Sequence, residues 1–313
     1  MTSGPPDPLP LWPVENLDIA GAELAVRRAE PTGRDAEPAL YVHGLGGSAT
    51  NWTDLMWRLR DRVDGEALDL PGFGFSPPPK DGDFSPDGYA RTVVSLLEYR
   101  DRGPVHLFGN SLGGAVATLV AARRPDLVRT LTLVSPAMPD LRPRRHTLPM
   151  ALMWLPGFGE AAQRYLTGLP PEKRMEGILE LCFADPTTVP ERRRIEAIEE
   201  IRRRNGLPYA GEAALASLRG LVSAYVAPTT RSPWSAARQV TVPTLVLYGR
   251  EDRLVGWRQA RRAARTYPGA RVVVLPGCGH VAQMERPDLI ATAWRNLTAS
   301  ARNGSRESTS QAS

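Results

Sequence analysis

The segment VHLFGNSLGGA, Val105 to Ala115, restricts the fold of this chain more than any other feature. An apolar, β-rich run enters Gly109, Asn110, Ser111, Leu112 and Gly113 and leaves into a helix of small residues, Ala115 to Ala122. A serine held at a sharp turn from strand to helix sits in a strained backbone conformation. The residues two positions to either side must be tiny for strand and helix to approach each other. Gly109 and Gly113 meet that need. The helix that follows points unpaired N–H groups at the space above the serine, which favours negative charge developing there.

Similar short runs recur on both sides of this turn. Residues 39–43, 66–70, 105–109, 130–134, 244–249 and 271–275 read as strands alternating with helical patterns. That alternation predicts an α/β architecture, a mostly parallel twisted sheet with helices on both faces. Residues 17–20 and 23–27, either side of Gly21, read as an antiparallel hairpin at its edge. From Pro136 to about Gln239 the rhythm stops, and helical stretches follow one another between prolines and glycines. A helical cap inserted after the sixth strand is expected there. Loops after parallel strands open at the carboxyl edge of the sheet, where α/β proteins bind ligands, so such a cap covers a site. The expected organisation is a core of 14–135 and 240–297, a cap of 136–239, and mobile tails at 1–13, which hold five prolines, and 298–313.

Composition narrows the function. The chain has 313 residues and a formal charge of +5, with 39 basic against 34 acidic side chains. Lys80 and Lys173 are its only lysines. The densest basic run, Glu191 to Arg204, interleaves six arginines with four glutamates at helical spacing, which reads as a solvated helix and not as a nucleic-acid site. Cys182 and Cys278 lie far apart with no CxxC pairing, so they are expected to be reduced thiols and to form neither a zinc cluster nor a disulfide framework. No apolar stretch approaches the roughly 18 residues of a membrane span. The N-terminus has no basic n-region or apolar h-region, and a cytoplasmic location is expected. With no ligand cluster and no dinucleotide fingerprint, neither a metal nor an organic cofactor is expected.

A serine hydroxyl needs a base to take its proton, and the base needs a carboxylate to orient it. The run at 244–249 ends in GREDRLV, which places Asp252 in a loop at the same sheet edge as Ser111. The run at 271–275 ends in PGCGH, which presents His280 there. Glu251 and Asp140 compete with Asp252, the latter on the loop after 130–134. A tetrahedral intermediate also needs fixed donors for its charge. The strand at 39–43 leads into His43, Gly44, Leu45, Gly46 and Gly47, whose Leu45 amide is one expected oxyanion donor; Leu112, after the serine, supplies the other.

These motifs together resemble the α/β-hydrolase fold superfamily over residues 15–297: the HG turn at His43 and Gly44, the loop DLPGFGFS from Asp69 to Ser76, the GNSLG turn, the acid loop, and Gly279 with His280. The resemblance implies the α/β-hydrolase fold and a cytosolic serine hydrolase acting on a small to medium apolar carboxylic ester through an acyl-enzyme. Haloalkane dehalogenases and epoxide hydrolases of this superfamily carry aspartate where Ser111 stands. GNSLGG and CGHVAQMERP, Cys278 to Pro287, are similar to hydrolases that cleave carbon–carbon bonds of meta-cleavage (dienoate) ring-fission products. Those usually have a longer turn after HG and a tryptophan after the histidine, where this chain has Val281, so that reading stands second. A slow-turnover ligand-binding module on the same fold stands third.

Other residues have plainer readings. His43 is expected to brace the oxyanion turn, His106 to lie in the core, and His146 to be an exposed loop residue. Asp69 reads as a turn former and Cys278 as a packing thiol. Met150, Met153, Trp154, Leu155 and Phe158 form an apolar cluster expected to serve both as cap core and as acyl pocket, with Val281 beside it. The implied partner is a small-molecule ester or similar acyl compound; oligomeric state is not legible.

Overall fold

A computed structural model of the chain describes residues 9, 11–19, 21–140, 146–227 and 232–310. Eight strands form a single sheet in the order β1-β2-β4-β3-β5-β6-β7-β8. They are β1 (Val14–Ile19), β2 (Ala22–Arg28), β3 (Glu37–Val42), β4 (Val63–Leu68), β5 (Val105–Asn110), β6 (Val128–Val134), β7 (Thr244–Gly249) and β8 (Arg271–Leu275). β2 pairs antiparallel with both β1 and β4, and the strands from β4 to β8 run parallel. β5 and β7 are buried at every position, as strands covered on both faces must be, which is why they read as unbroken apolar runs and not as alternating ones.

Twelve helices accompany the sheet among the described residues: α1 (Thr53–Leu59), α2 (Pro86–Arg100), α3 (Leu112–Arg123), α4 (Leu148–Leu152), α5 (Phe158–Gly168), α6 (Pro171–Cys182), α7 (Glu191–Asn205), α8 (Ala210–Val226), α9 (Pro233–Ala237), α10 (Ala260–Thr266), α11 (Ala282–Glu285) and α12 (Pro287–Ser310). Helices α2, α3, α9 and α10 bury apolar side chains with one face of the sheet. On the other face, α1, α11 and α12 pack around Tyr41, Trp52, Phe108 and Trp294. Helices α4 to α9 all lie between β6 and β7 in the sequence, at the position expected for an insertion after the sixth strand. None of the described helices is long and apolar enough to cross a membrane.

Two expectations change. Residues 298–310 continue α12 as helix to Ser310 and are not a separate irregular tail. The stretch has Gly304 as its single helix breaker and extends a helix already anchored by buried Trp294 and Leu297. At the other end Trp12 packs against the α1 and α12 face, and its carbonyl accepts from Arg27. Residues 1–8, 10 and 311–313 of the expected tails lie outside the described residues. The apolar cluster is also displaced from its expected core role: Trp154, Leu155 and Phe158 are 42%, 44% and 50% exposed. The insertion's own core is Met175, Leu179, Phe183 and Ile201, joined by Val281. Helices α6 and α7 supply that core because their apolar positions face each other, whereas the prolines at 149 and 156 keep the 148–158 stretch in short turns.

Candidate active site

Ser111 sits between β5 and α3 with φ 53° and ψ −119°, a conformation rare for a residue with a side chain and typically costing about 1–3 kcal/mol. The surroundings enforce it. Its amide donates to the Val134 carbonyl at 3.1 Å, and its carbonyl accepts from Gly114, Ala115 and Ala137. The flanking glycines are a steric requirement: a Cβ on Gly109 would lie 2.4 Å from the Gly113 carbonyl oxygen, and one on Gly113 would lie 2.2 Å from that of Val42.

His280 and Asp252 meet at the same edge. His280 Nδ1 lies 2.9 Å from Asp252 Oδ2, and the two residues are 5% and 2% exposed. A carboxylate only accepts, so Nδ1 donates this bond and Nε2 is the ring nitrogen that Asp252 leaves unengaged. Asp252 Oδ1 accepts from the Leu254 and Val255 amides, both at 2.8 Å. Burial pushes the Asp252 carboxyl up, but the attraction and hydrogen bond from His280, with the Val255 amide, outweigh it and hold the group below the usual carboxylate range. Both competing acids are elsewhere: Glu251 accepts from the Cys278 amide at 3.1 Å, and Asp140 lies by Gln259 at 3.4 Å. Among the described residues no hydrogen bond joins Ser111 to His280. The link between their loops is Asn110, whose side-chain amide donates to the Val134 carbonyl at 3.0 Å and the His280 carbonyl at 3.1 Å.

The turn after β3 lies against the serine, since a Cβ on Gly44 would be 3.0 Å from Ser111 Cβ. Neither the Leu45 nor the Leu112 amide donates to another described group, which leaves both free to bind an anion. His43 braces this turn as expected. Its Nδ1 is 2.8 Å from the Gly44 carbonyl oxygen and its Nε2 accepts from the Leu70 amide at 2.9 Å, which fixes the neutral ring with the proton on Nδ1. Burial pulls its pKa down to about 4. Asp69 does more than form a turn: its two oxygens accept from Ala49 at 2.6 Å and Phe75 at 2.9 Å, tying the end of the turn after β3 to the loop after β4.

Backbone groups of the insertion, and one of its arginines, reach the same loops. The Cys182 carbonyl accepts from the His280 amide at 2.7 Å, and Arg253 Nη1 donates to the Phe183 carbonyl at 3.3 Å. Glu285 places one oxygen 2.7 Å from the Gly279 amide and the other 2.7 Å from the Ala184 amide. Val281 packs with α6 and α7, so its contacts are with that core. Arg204 Nη1 donates to the Gly46 carbonyl at 2.7 Å. The roles of Asn110, Glu285 and Arg204 are hidden in the sequence because each depends on a distant partner, His280, Ala184 and Gly46 respectively, 101 to 170 residues away; only the position of Asn110 inside GNSLG signals it. His106 is a core residue bonded to Thr130 at 2.8 Å, and His146 is exposed. Burial pushes the Cys278 thiol up to about 11 and that of Cys182 up to about 12, so neither is a thiolate near neutrality.

Comparison with known proteins gives a consistent picture. The α/β-hydrolase fold family matches residues 38–287. The chain is 31% identical over 288 residues to the dihydrolipoyllysine-residue acetyltransferase component of the acetoin cleaving system of Pseudomonas putida, covering 88% of this chain and 66% of that protein. It therefore spans just under two thirds of that relative's length. It is 30% identical over 269 residues to 2-(acetamidomethylene)succinate hydrolase of Mesorhizobium japonicum, covering 82% of this chain and 86% of that one. Lipase 3 of Moraxella sp. is 24% identical over 281 residues, covering 87% and 80% of the two chains. Among solved structures, the meta-cleavage product hydrolase of Pseudomonas fluorescens superposes with a TM-score of 0.73 at 19% identity, covering 92% of this chain and 98% of that one.

Proposed function

Because the chain belongs to the α/β-hydrolase fold family, we propose that it is a serine hydrolase that cleaves a carboxylic ester through an acyl-enzyme. In this reading Ser111 attacks the carbonyl while His280 Nε2 takes its proton. Asp252 holds the imidazole in the tautomer that makes this possible and offsets the charge it acquires. The Leu45 and Leu112 amides receive the oxyanion. His280 then returns the proton to the leaving alcohol, and water, activated by the same nitrogen, releases the acid. The observation that carries the reading is the buried pair of His280 and Asp252 at 2.9 Å, on the sheet edge where strained Ser111 also sits.

The insertion of 136–239 acts in this reading as a cap that selects the substrate. Its exposed apolar residues Trp154 and Phe158, with Met150 and Met153, favour an acyl group with an apolar part, and Val281 contributes through its packing beside His280. The likeness to Lipase 3 supports ester chemistry. Carbon–carbon cleavage of a ring-fission product is the second reading, favoured by the similarity of GNSLGG and CGHVAQMERP to that group of enzymes.

Fluorophosphonate labelling and turnover of a graded acyl-ester series test the first reading. Labelling is expected in the wild type and absent in Ser111→Ala, with turnover lower by at least about 1000-fold. Full esterase activity in Ser111→Ala would sink the mechanism. Labelling with rapid loss of a dienoate chromophore and negligible ester turnover would move the conclusion to the second reading.

A further inference from the structure

The arginines of α7 differ in one respect that bears on substrate choice. Arg192 pairs with Glu196 at 3.2 Å, Arg193 with Glu196 and Asp54 at 2.7 Å each, Arg202 with Glu172 at 2.5 Å, and Arg203 with Glu200 at 2.8 Å. Arg194 is held by the Val189 and Pro186 carbonyls. Arg204 has no carboxylate within ion-pair distance among the described residues; its recorded bond is the one to the Gly46 carbonyl. Glu200, whose field reaches Arg204, is already bidentate to Arg203. From α6, Arg174 donates to Asn205 Oδ1 at 2.6 Å, directly beside Arg204, and it too has no carboxylate partner among the described residues.

Two partly buried arginines, Arg204 bonded to the Gly46 carbonyl and Arg174 bonded to the next residue, Asn205, thus lie within each other's field with no carboxylate paired to either among the described residues. Burial lowers the pKa of both, and Arg174 and Arg203 act on Arg204 in the same direction. Removing cations from water without pairing them costs stability, and Arg192, Arg193, Arg202 and Arg203 avoid that cost through their carboxylates. The location is close to the serine. Gly44 faces Ser111 at contact distance, and Gly46 is two residues further, at most about 7 Å of backbone.

We propose that Arg204, assisted by Arg174, forms a subsite for a carboxylate of the substrate, so that the ester hydrolysed carries a free acid on its acyl part. A guanidinium presents two parallel donors that match a carboxylate, and Arg204 spends one of its donors on Gly46 while others remain for the ligand. The carboxylate would supply at this place the kind of partner that Glu196, Asp54, Glu172 and Glu200 give Arg192, Arg193, Arg202 and Arg203. The inference rests on the serine-hydrolase reading and names its substrate class.

The test uses matched substrates: the mono-p-nitrophenyl esters of succinate and glutarate against p-nitrophenyl esters of neutral acyl chains of equal length. The wild type is expected to prefer the acidic esters in kcat/KM by at least about tenfold, and the preference should shrink as salt is added. In Arg204→Leu the ratio of acidic to neutral kcat/KM should fall toward one, mainly through KM. Arg174→Leu, which leaves the Gly46 contact untouched, should lower the ratio too. An unchanged ratio with both rates reduced in Arg204→Leu would mean that Arg204 only supports the turn through Gly46, and it would overturn the proposal. So would a wild type that favours neutral esters. If no ester is hydrolysed at all, the serine-hydrolase reading fails separately. The subsite is then decided by thermal shift of the Ser111→Ala protein with free glutarate: stabilisation above a sodium chloride control, lost in Ser111→Ala/Arg204→Leu, supports it, and no stabilisation overturns it.

Discussion

Ser111, Ser135 and Asp101 are the non-glycine residues with positive φ among the described ones, and Ser111 and Ser135 stand at the ends of adjacent central strands. The strain at Ser111 has a thermodynamic signature separate from catalysis. Ser111→Gly should relieve it and stabilise the protein by up to about 1 kcal/mol once the greater unfolded-state freedom of glycine is subtracted, raising the melting temperature, whereas Ser111→Ala should leave it unchanged. Paired thermal melts of the two variants decide this. His43 gives a second test at this scale. Its folded pKa of about 4 is depressed below the ordinary histidine value, so the unfolded chain takes up the proton first as pH falls. Its contribution to stability is therefore present above the unfolded value and is lost as pH falls through the interval between the two. Comparison of wild type with His43→Asn isolates it from Asp69 and Glu285, whose carboxyls are raised by burial and act in the opposite sense. The stability difference between the two proteins should shrink by roughly 3 kcal/mol from pH 7 to pH 4 in denaturant titrations.

At the level of elements, legibility followed sequence distance. The strand, GNSLG turn and small-residue helix were readable because the demand on Gly109 and Gly113 is local, and Gly109→Ala should destabilise by at least about 2 kcal/mol because backbone atoms, not a movable side chain, meet the new methyl. Asp252 was singled out in the sequence over Glu251 and Asp140, but which neighbouring carboxyl meets His280 depends on how the loop after β7 turns: Asp252 lies 2.9 Å from the His280 ring, while Glu251 accepts from the Cys278 amide. The alternation of charge in α7 marked a solvated helix, and four of its arginines do form ion pairs. Nothing in that pattern distinguished Arg204, because its partner lies on a turn 158 residues away. Likewise Glu285 looks like one more surface carboxylate beside Pro287, yet it joins α11 to the end of α6 through two amides. Glu285→Ala should cost about 2–4 kcal/mol and speed hydrogen exchange at both Gly279 and Ala184, while Glu285→Gln, which can still accept from one amide, should lose less. Exchange measurements resolved to single amides check the pair.

Over the whole molecule, the mostly parallel sheet, the hairpin at its edge and the position of the helical insertion matched the sequence rhythm, since parallel strands buried on both faces announce themselves as apolar runs, whereas the order of the strands in the sheet was not legible. The C-terminal boundary did not. Trp294 packs edge-on against His106, with ring centres 4.9 Å apart, and against Phe108 at 6.0 Å, so α12 completes one face of the sheet. Trp294→Ala should cost about 3–5 kcal/mol, whereas truncation after Leu297 should move the melting temperature by no more than about 2 °C. The bond between the Cys182 carbonyl and the His280 amide has a practical meaning for remodelling. Helices α4 to α9 look like a cassette that could be exchanged between relatives, but the stretch from Cys182 to Ala184 belongs mechanically to the loop that bears the imidazole. A chimera that replaces the insertion wholesale would import foreign backbone under His280, and one that keeps residues 182–184 and grafts only what precedes and follows them would change the insertion while sparing the contacts of the His280 loop.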